Sequence, residues 1–182
     1  APTAGACGVL PAVLVPYFQK RCRNTDKILK AMYVAAGIGQ IIATRSSISG
    51  AAGGCQAEIG SASSMAAGAL TYLQGGNCEQ IATAAAMAMK NLLGLVCDPV
   101  AGLVEVPCVK RNVIGTVNAM ACADMAMAGI VSRIPPDQVM DAMKEVGDKM
   151  DASLRETALG GLARTEEGVK IAEKMHASQE NW

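Results

Sequence analysis

Cysteine is the residue type in this 182-residue chain with the greatest capacity for chemistry, and there are seven of them. An odd count at irregular spacing does not suit a secreted disulfide framework; it suits reduced thiols in the cytoplasm, free to take a metal. Cys55 ends the run Arg45-Ser46-Ser47-Ile48-Ser49-Gly50-Ala51-Ala52-Gly53-Gly54 and opens helical sequence. A thiol placed there faces backbone N–H groups and the positive end of a helix, which lower its pKa. Cys97 and Cys108 bracket a stretch rich in Pro and Gly. Cys55, Cys97 and Cys108 are therefore the candidate metal ligands, with Cys7, in a glycine-rich segment, as a lesser candidate. Cys22, Cys78 and Cys122 lie in or beside helical sequence and read as small buried hydrophobes. No C-x-x-C occurs, which removes the zinc-ribbon and ferredoxin patterns. Four thiolates would satisfy every iron of a cluster and suit electron transfer. Three leave one iron open to substrate, as a Lewis acid.

These thiols need rigid elements behind them. Residues 1–16, with Pro2, Pro11 and Pro16, read as a loop or short turn region. A first helix is predicted from Thr25 through Ile41, and the Gly/Ser run after it reads as loop. A second helix is predicted over Gln56–Tyr72. A third opens at Asn77, which can form a capping box with Gln80, and runs to Leu93. Residues 94–108 form a structured connection. Helices follow over Lys110–Val131 and from Pro136 to Met150, and a short charged helix lies beyond Gly160-Gly161. The expectation is an all-α, compact single domain over residues 1–182, with Gly-rich loops carrying the ligands. Its abrupt start at Ala1 suggests processing or a longer parent protein.

Composition narrows the function. Half of the chain is hydrophobic, but through Ala, Gly and Met rather than aromatics, as expected of closely packed helices. Sixteen basic and sixteen acidic side chains cancel, so nucleic acid is not an expected partner. The uncharged run Ile59–Cys78 has the length of a membrane span. Its serines, Gln74 and Asn77 make it too polar for lipid, and a buried small-residue helix accounts for it better.

Several segments together resemble the iron–sulfur-dependent L-serine dehydratases, and more narrowly the separate alpha subunit of their two-subunit bacterial form. They are Ala1-Pro2-Thr3-Ala4-Gly5, Ser47-Ile48-Ser49-Gly50, Gly54-Cys55-Gln56-Ala57-Glu58, Cys97-Asp98-Pro99-Val100-Ala101-Gly102, Val106-Pro107-Cys108 and the closing stretch Leu154–Ala163. The resemblance implies a [4Fe-4S] cluster on Cys55, Cys97 and Cys108, an all-helical domain and L-serine as substrate. It also implies a beta-subunit partner, a further N-terminal portion and an oligomeric enzyme. Relatives that end in a cysteine cap the open iron with it. This chain ends in Asn181-Trp182, so self-capping is not expected. Arg45 and Ala52 stand where many relatives carry Asn and Glu.

Around such a site, Thr3, Ser47, Ser49, Asp98 and Arg111 are the substrate-binding candidates. The hydroxyls can donate to a carboxylate or instead make turns. Asp98 can bind an ammonium group or shape an Asx turn, and Arg111 can clamp a carboxylate or be a helix-end charge facing solvent. Glu58, one turn after Cys55, can accept a proton or hold a loop N–H. The sole histidine, His176, sits in a charged tail and reads as a solvated surface residue, and the general base stays unassigned. Alternatives are the same chemistry on threonine or another small β-hydroxy amino acid, a structural zinc module, and a scaffold whose cysteines fill its core.

Overall fold

The computed structural model describes residues 3–179. The opening Ala1-Pro2 and the terminal Asn181-Trp182, both weighed above, lie outside the described residues. The helices are α1 (Val9–Lys20), α2 (Thr25–Arg45), α3 (Gly50–Gly53), α4 (Ser61–Leu73), α5 (Cys78–Lys90), α6 (Cys108–Met127), α7 (Pro136–Lys149) and α8 (Glu166–Gln179). Among the described residues there is no strand, only a single parallel bridge pairing Cys97 with Arg155. The expected all-α single domain is what forms.

Its axis is α4, the segment whose length suggested a membrane span. α4 is buried nearly all round, with α1, α2, α5 and α6 packed about it. Ala62, Ala66, Ala67 and Ala69 let those neighbours approach closely, and three of its hydroxyls are satisfied inside the core, while the buried Ser61 Oγ has no hydrogen-bond partner among the described residues. Ser63 donates to Gly115 O at 2.8 Å, Ser64 to Ala85 O at 2.9 Å and Thr71 to Ala67 O at 2.8 Å. None of the described helices is long and apolar enough to cross a membrane.

Local signals explain most ends. Asn24 caps α2 through Lys27 N, one residue before the expected Thr25. Asn77 and Gln80 form the full capping box of α5. Two expectations need correction. Residues 9–16 belong to α1, because Pro11 falls in the first turn, where an N–H has no intrahelical partner, and Pro16 rides on the exposed side. The Gly/Ser run after α2 holds one helical turn, α3, before entering a π-type turn over Gln56–Gly60 that leads into α4.

Candidate functional site

Three separate connections deliver Cys55, Cys97 and Cys108 to one place. Cys55 lies between α3 and the π-type turn, Cys97 in the link after α5, and Cys108 at the first residue of α6. All three are buried, at 0%, 2% and 3% exposure. Cys55 is central, with its thiol in hydrogen-bonding reach of both Cys97 and Cys108. The sulfurs of Cys55 and Cys97 and a carboxylate oxygen of Glu58 lie within 4.8 Å of one another, a grouping able to hold a metal ion.

The segments that carry these cysteines are fixed by groups remote in sequence. The closing segment grips Cys97 by its backbone: Cys97 N donates to Leu154 O and Glu156 N donates to Cys97 O, both at 2.8 Å. Gln56, fully buried, donates to Met143 O at 3.0 Å and accepts from Gly94 N at 2.9 Å, so it ties the Cys55 turn to α7 and to the loop leading to Cys97. Asn112 holds the N-terminal segment against α6, donating to Gly5 O at 2.7 Å and accepting from Gly8 N at 2.9 Å. Gln56 and Asn112 are not singled out by sequence pattern, since the partners just named lie 38 to 107 positions away.

Of the surrounding charges, Arg111 and Asp98 form an ion pair, while Glu58 faces the like charge of Glu156. Arg111 reaches Cys55 Sγ at 3.5 Å and Val96 O at 2.8 Å with one nitrogen, and Asp98 Oδ1 at 2.9 Å with another. The other Asp98 oxygen accepts from Leu162 N at 2.8 Å. Gly161 makes that contact feasible: its φ is +58°, and a Cβ there would fall 2.4 Å from Asp98 Oδ2. Thr3 Oγ1 donates to Glu58. Gly50 leaves room on the other side, because a Cβ there would sit 3.0 Å from Cys97 Sγ and 3.2 Å from Glu58 Oε2.

Thr3, Asp98 and Arg111 therefore stand with Glu58 at the cysteines. Ser49 is adjacent through Gly50, and its backbone N–H donates to Ser47 Oγ at 3.1 Å. Ser47 is drawn into that turn and lines a groove against α7 with Gly53 and Gly147. Cys122 is buried as expected, whereas Cys78 is exposed and Cys22 half-buried, and Cys7 is exposed on the surface. His176 is exposed on α8.

The expectation of an acidified Cys55 is reversed. Hydrogen bonding from Cys108 lowers its pKa, but the Cys97 hydrogen bond and burial outweigh it and push Cys55 up to about 12, with Arg111 opposing. Cys108 is also raised, chiefly by its hydrogen bond to Cys55 and then by burial. Burial raises Glu58 against the lowering effect of Thr3. A helix end does not suffice where thiols crowd together in a dry site. A bound cation is what lets such donors ionise together.

Comparison with known proteins identifies the family of the chain. A family model described as "Serine dehydratase alpha chain" matches residues 1–163. The chain is 54% identical over 174 residues to "Probable L-serine dehydratase, alpha chain" of Bacillus subtilis (strain 168), covering 96% of this chain and 58% of the relative. It is 50% identical over 171 residues to "L-serine dehydratase, alpha chain" of Peptoniphilus asaccharolyticus, covering 94% and 59%. With "L-serine dehydratase 1" of Escherichia coli (strain K12) it shares 47% identity over 165 residues, 90% of this chain and 36% of that protein. This chain thus spans under two thirds of the length of each of these relatives.

Proposed function

The chain belongs to the serine dehydratase alpha-chain family, and on that premise we propose that it is the cluster-carrying part of an iron–sulfur L-serine dehydratase, which converts L-serine to pyruvate and ammonia. The observation that carries this reading is the convergence of buried Cys55, Cys97 and Cys108 from three separate connections. The donor set fits: three thiols, the carboxyls of Glu58 and Asp98 and a single arginine form a pocket rich in soft ligands and short of positive charge. Those cysteines would hold a [4Fe-4S] cluster. When bound, a cluster with three thiolate ligands supplies an open iron that acts as a Lewis acid toward oxygen.

The protein's own side chains then have distinct tasks. Arg111 places positive charge beside Cys55 and, braced by Asp98, keeps a fixed fork that can receive a substrate carboxylate. Asp98 holds that fork and anchors the closing segment through Leu162 N. Thr3 orients Glu58. Glu58 is the acid–base group this chain offers at the site, and it takes the proton of serine Cα at a carboxylate oxygen. As that C–H bond breaks, its electron pair forms the Cα=Cβ bond and the Cβ–O bond breaks. The departing hydroxide takes up the proton that Glu58 has just accepted and leaves as water, the enamine tautomerises to an imine, and hydrolysis of the imine gives pyruvate and ammonia. Burial keeps the pocket dry enough for these charges to act strongly.

The relatives' name, alpha chain, and their greater length support a beta-subunit partner and an enzyme completed outside this segment. Reduced cysteines fit a cytoplasmic setting. A second reading rests on the same 4.8 Å grouping, which is also compact enough for one zinc ion. Anaerobic reconstitution with iron and sulfide, followed by an assay of serine-dependent pyruvate formation with and without the beta partner, tests the proposal. A brown protein whose complex turns over serine supports it, and a threonine arm fixes the preference. A colourless protein that retains zinc and never forms pyruvate refutes it.

A further inference from the structure

The side of α6 that faces away from the body of the protein is aliphatic along almost its whole length. Val109, Val113, Ile114, Val117 and Met120 are each between 48% and 61% exposed, and Cys108, Gly115, Ala119, Cys122, Ala123 and Ala126 occupy the buried side. At 3.6 residues per turn the exposed stripe centres on Val117. Leu103, Val104 and Val106 extend it beside the N-terminal end of the helix. A helix that is apolar on all sides belongs in an interior, and an unbroken exposed stripe of this kind marks a surface that another molecule covers.

Charge on the stripe is confined to its ends, and its placement is self-complementary. Lys110 lies seven positions before Val117 and Asp124 seven after it, both exposed. Val113 and Ala121 lie four to either side, Ile114 and Met120 three. We propose that this face is a self-association surface, on which α6 of a second copy packs antiparallel about a two-fold axis at Val117. That arrangement sets Lys110 of each copy against Asp124 of the other and buries the aliphatic positions between them. A parallel pair would set like charges together, and a dissimilar partner would not call for such internal symmetry. Asp124 spends Oδ1 on Gln74 Nε2 at 3.0 Å and keeps its second oxygen for the ammonium, and no ion pair among the described residues engages Lys110. The interface would lie one turn from Cys108 and Arg111, although the inference stands apart from the proposed chemistry.

Analytical ultracentrifugation of the full chain over a concentration series tests this, with circular dichroism confirming that each variant folds. The expected result is a reversible dimer. Val117→Glu should raise its dissociation constant at least about a hundredfold, because two carboxylates meet on the axis. Lys110→Glu alone and Asp124→Lys alone should each raise it about tenfold, and the double exchange should return it to within about threefold of the original. A chain that stays monomeric at about 0.5 mM overturns the proposal. So does a dimer indifferent to Val117→Glu, or paired charge exchanges that weaken it additively with no rescue. Protection of the α6 face only by a different polypeptide, with this chain monomeric alone, overturns it as well.

Discussion

Two regions of this molecule look like places for a ligand, and they are built in opposite ways. The larger is a cavity of about 700 Å³ where α8 lies over the link between Cys97 and Cys108, bordered by Ala163, Arg164, Val169, Glu173 and His176. It is roomy, but its titratable groups lie at the surface and no buried polar group converges on it. At the cysteine site three sulfurs, the carboxyls of Glu58 and Asp98 and an arginine meet, with Cys97 and Arg111 tied to backbone from other parts of the chain. Volume measures where something fits. Convergence of constrained donors marks where chemistry is done.

The contrast can be broken or sharpened by substitution. The largest effect is expected for Cys97→Ser, which removes a soft ligand from the tight site. Bound iron after anaerobic reconstitution should fall at least about tenfold while helicity is unchanged, and undiminished iron would erase the distinction between the regions. Next is Gly161→Ala, which forces a side chain into a left-handed backbone and toward Asp98. It should cost about 2–4 kcal/mol in urea unfolding and loosen the segment that holds Cys97. Gly50→Ala pushes a methyl group against Cys97 Sγ and Glu58, and a smaller loss of about 1–2 kcal/mol is expected, with reduced metal retention during dialysis. The smallest effect belongs to the larger cavity: His176→Ala should shift the urea midpoint negligibly and leave metal content as it was.

Much of this was legible in the sequence for physical reasons that stay local. The Asn77–Gln80 box, the helix start at Pro136 and the bend-forming residues around Cys97 and Cys108 act over a few positions, and each is found where sequence places it. α1 was hidden because a proline reads as a breaker unless its place in the first turn, or on the exposed side, is known. The raised Cys55 thiol was hidden too, since its neighbours Cys97 and Cys108 and its burial exist only once distant loops meet. Gln56 and Asn112 share that character. They are polar residues whose ties to distant segments are long-range hydrogen bonds.

The most direct measurement of the central claim is iron and acid-labile sulfide per chain, with Mössbauer spectra, after anaerobic reconstitution of the intact chain. The expected result is about four of each, with one iron distinct from the other three and altered by added L-serine. A single metal ion without sulfide would contradict it, and so would a cluster whose content is the same when Cys55, Cys97 and Cys108 are all replaced by serine.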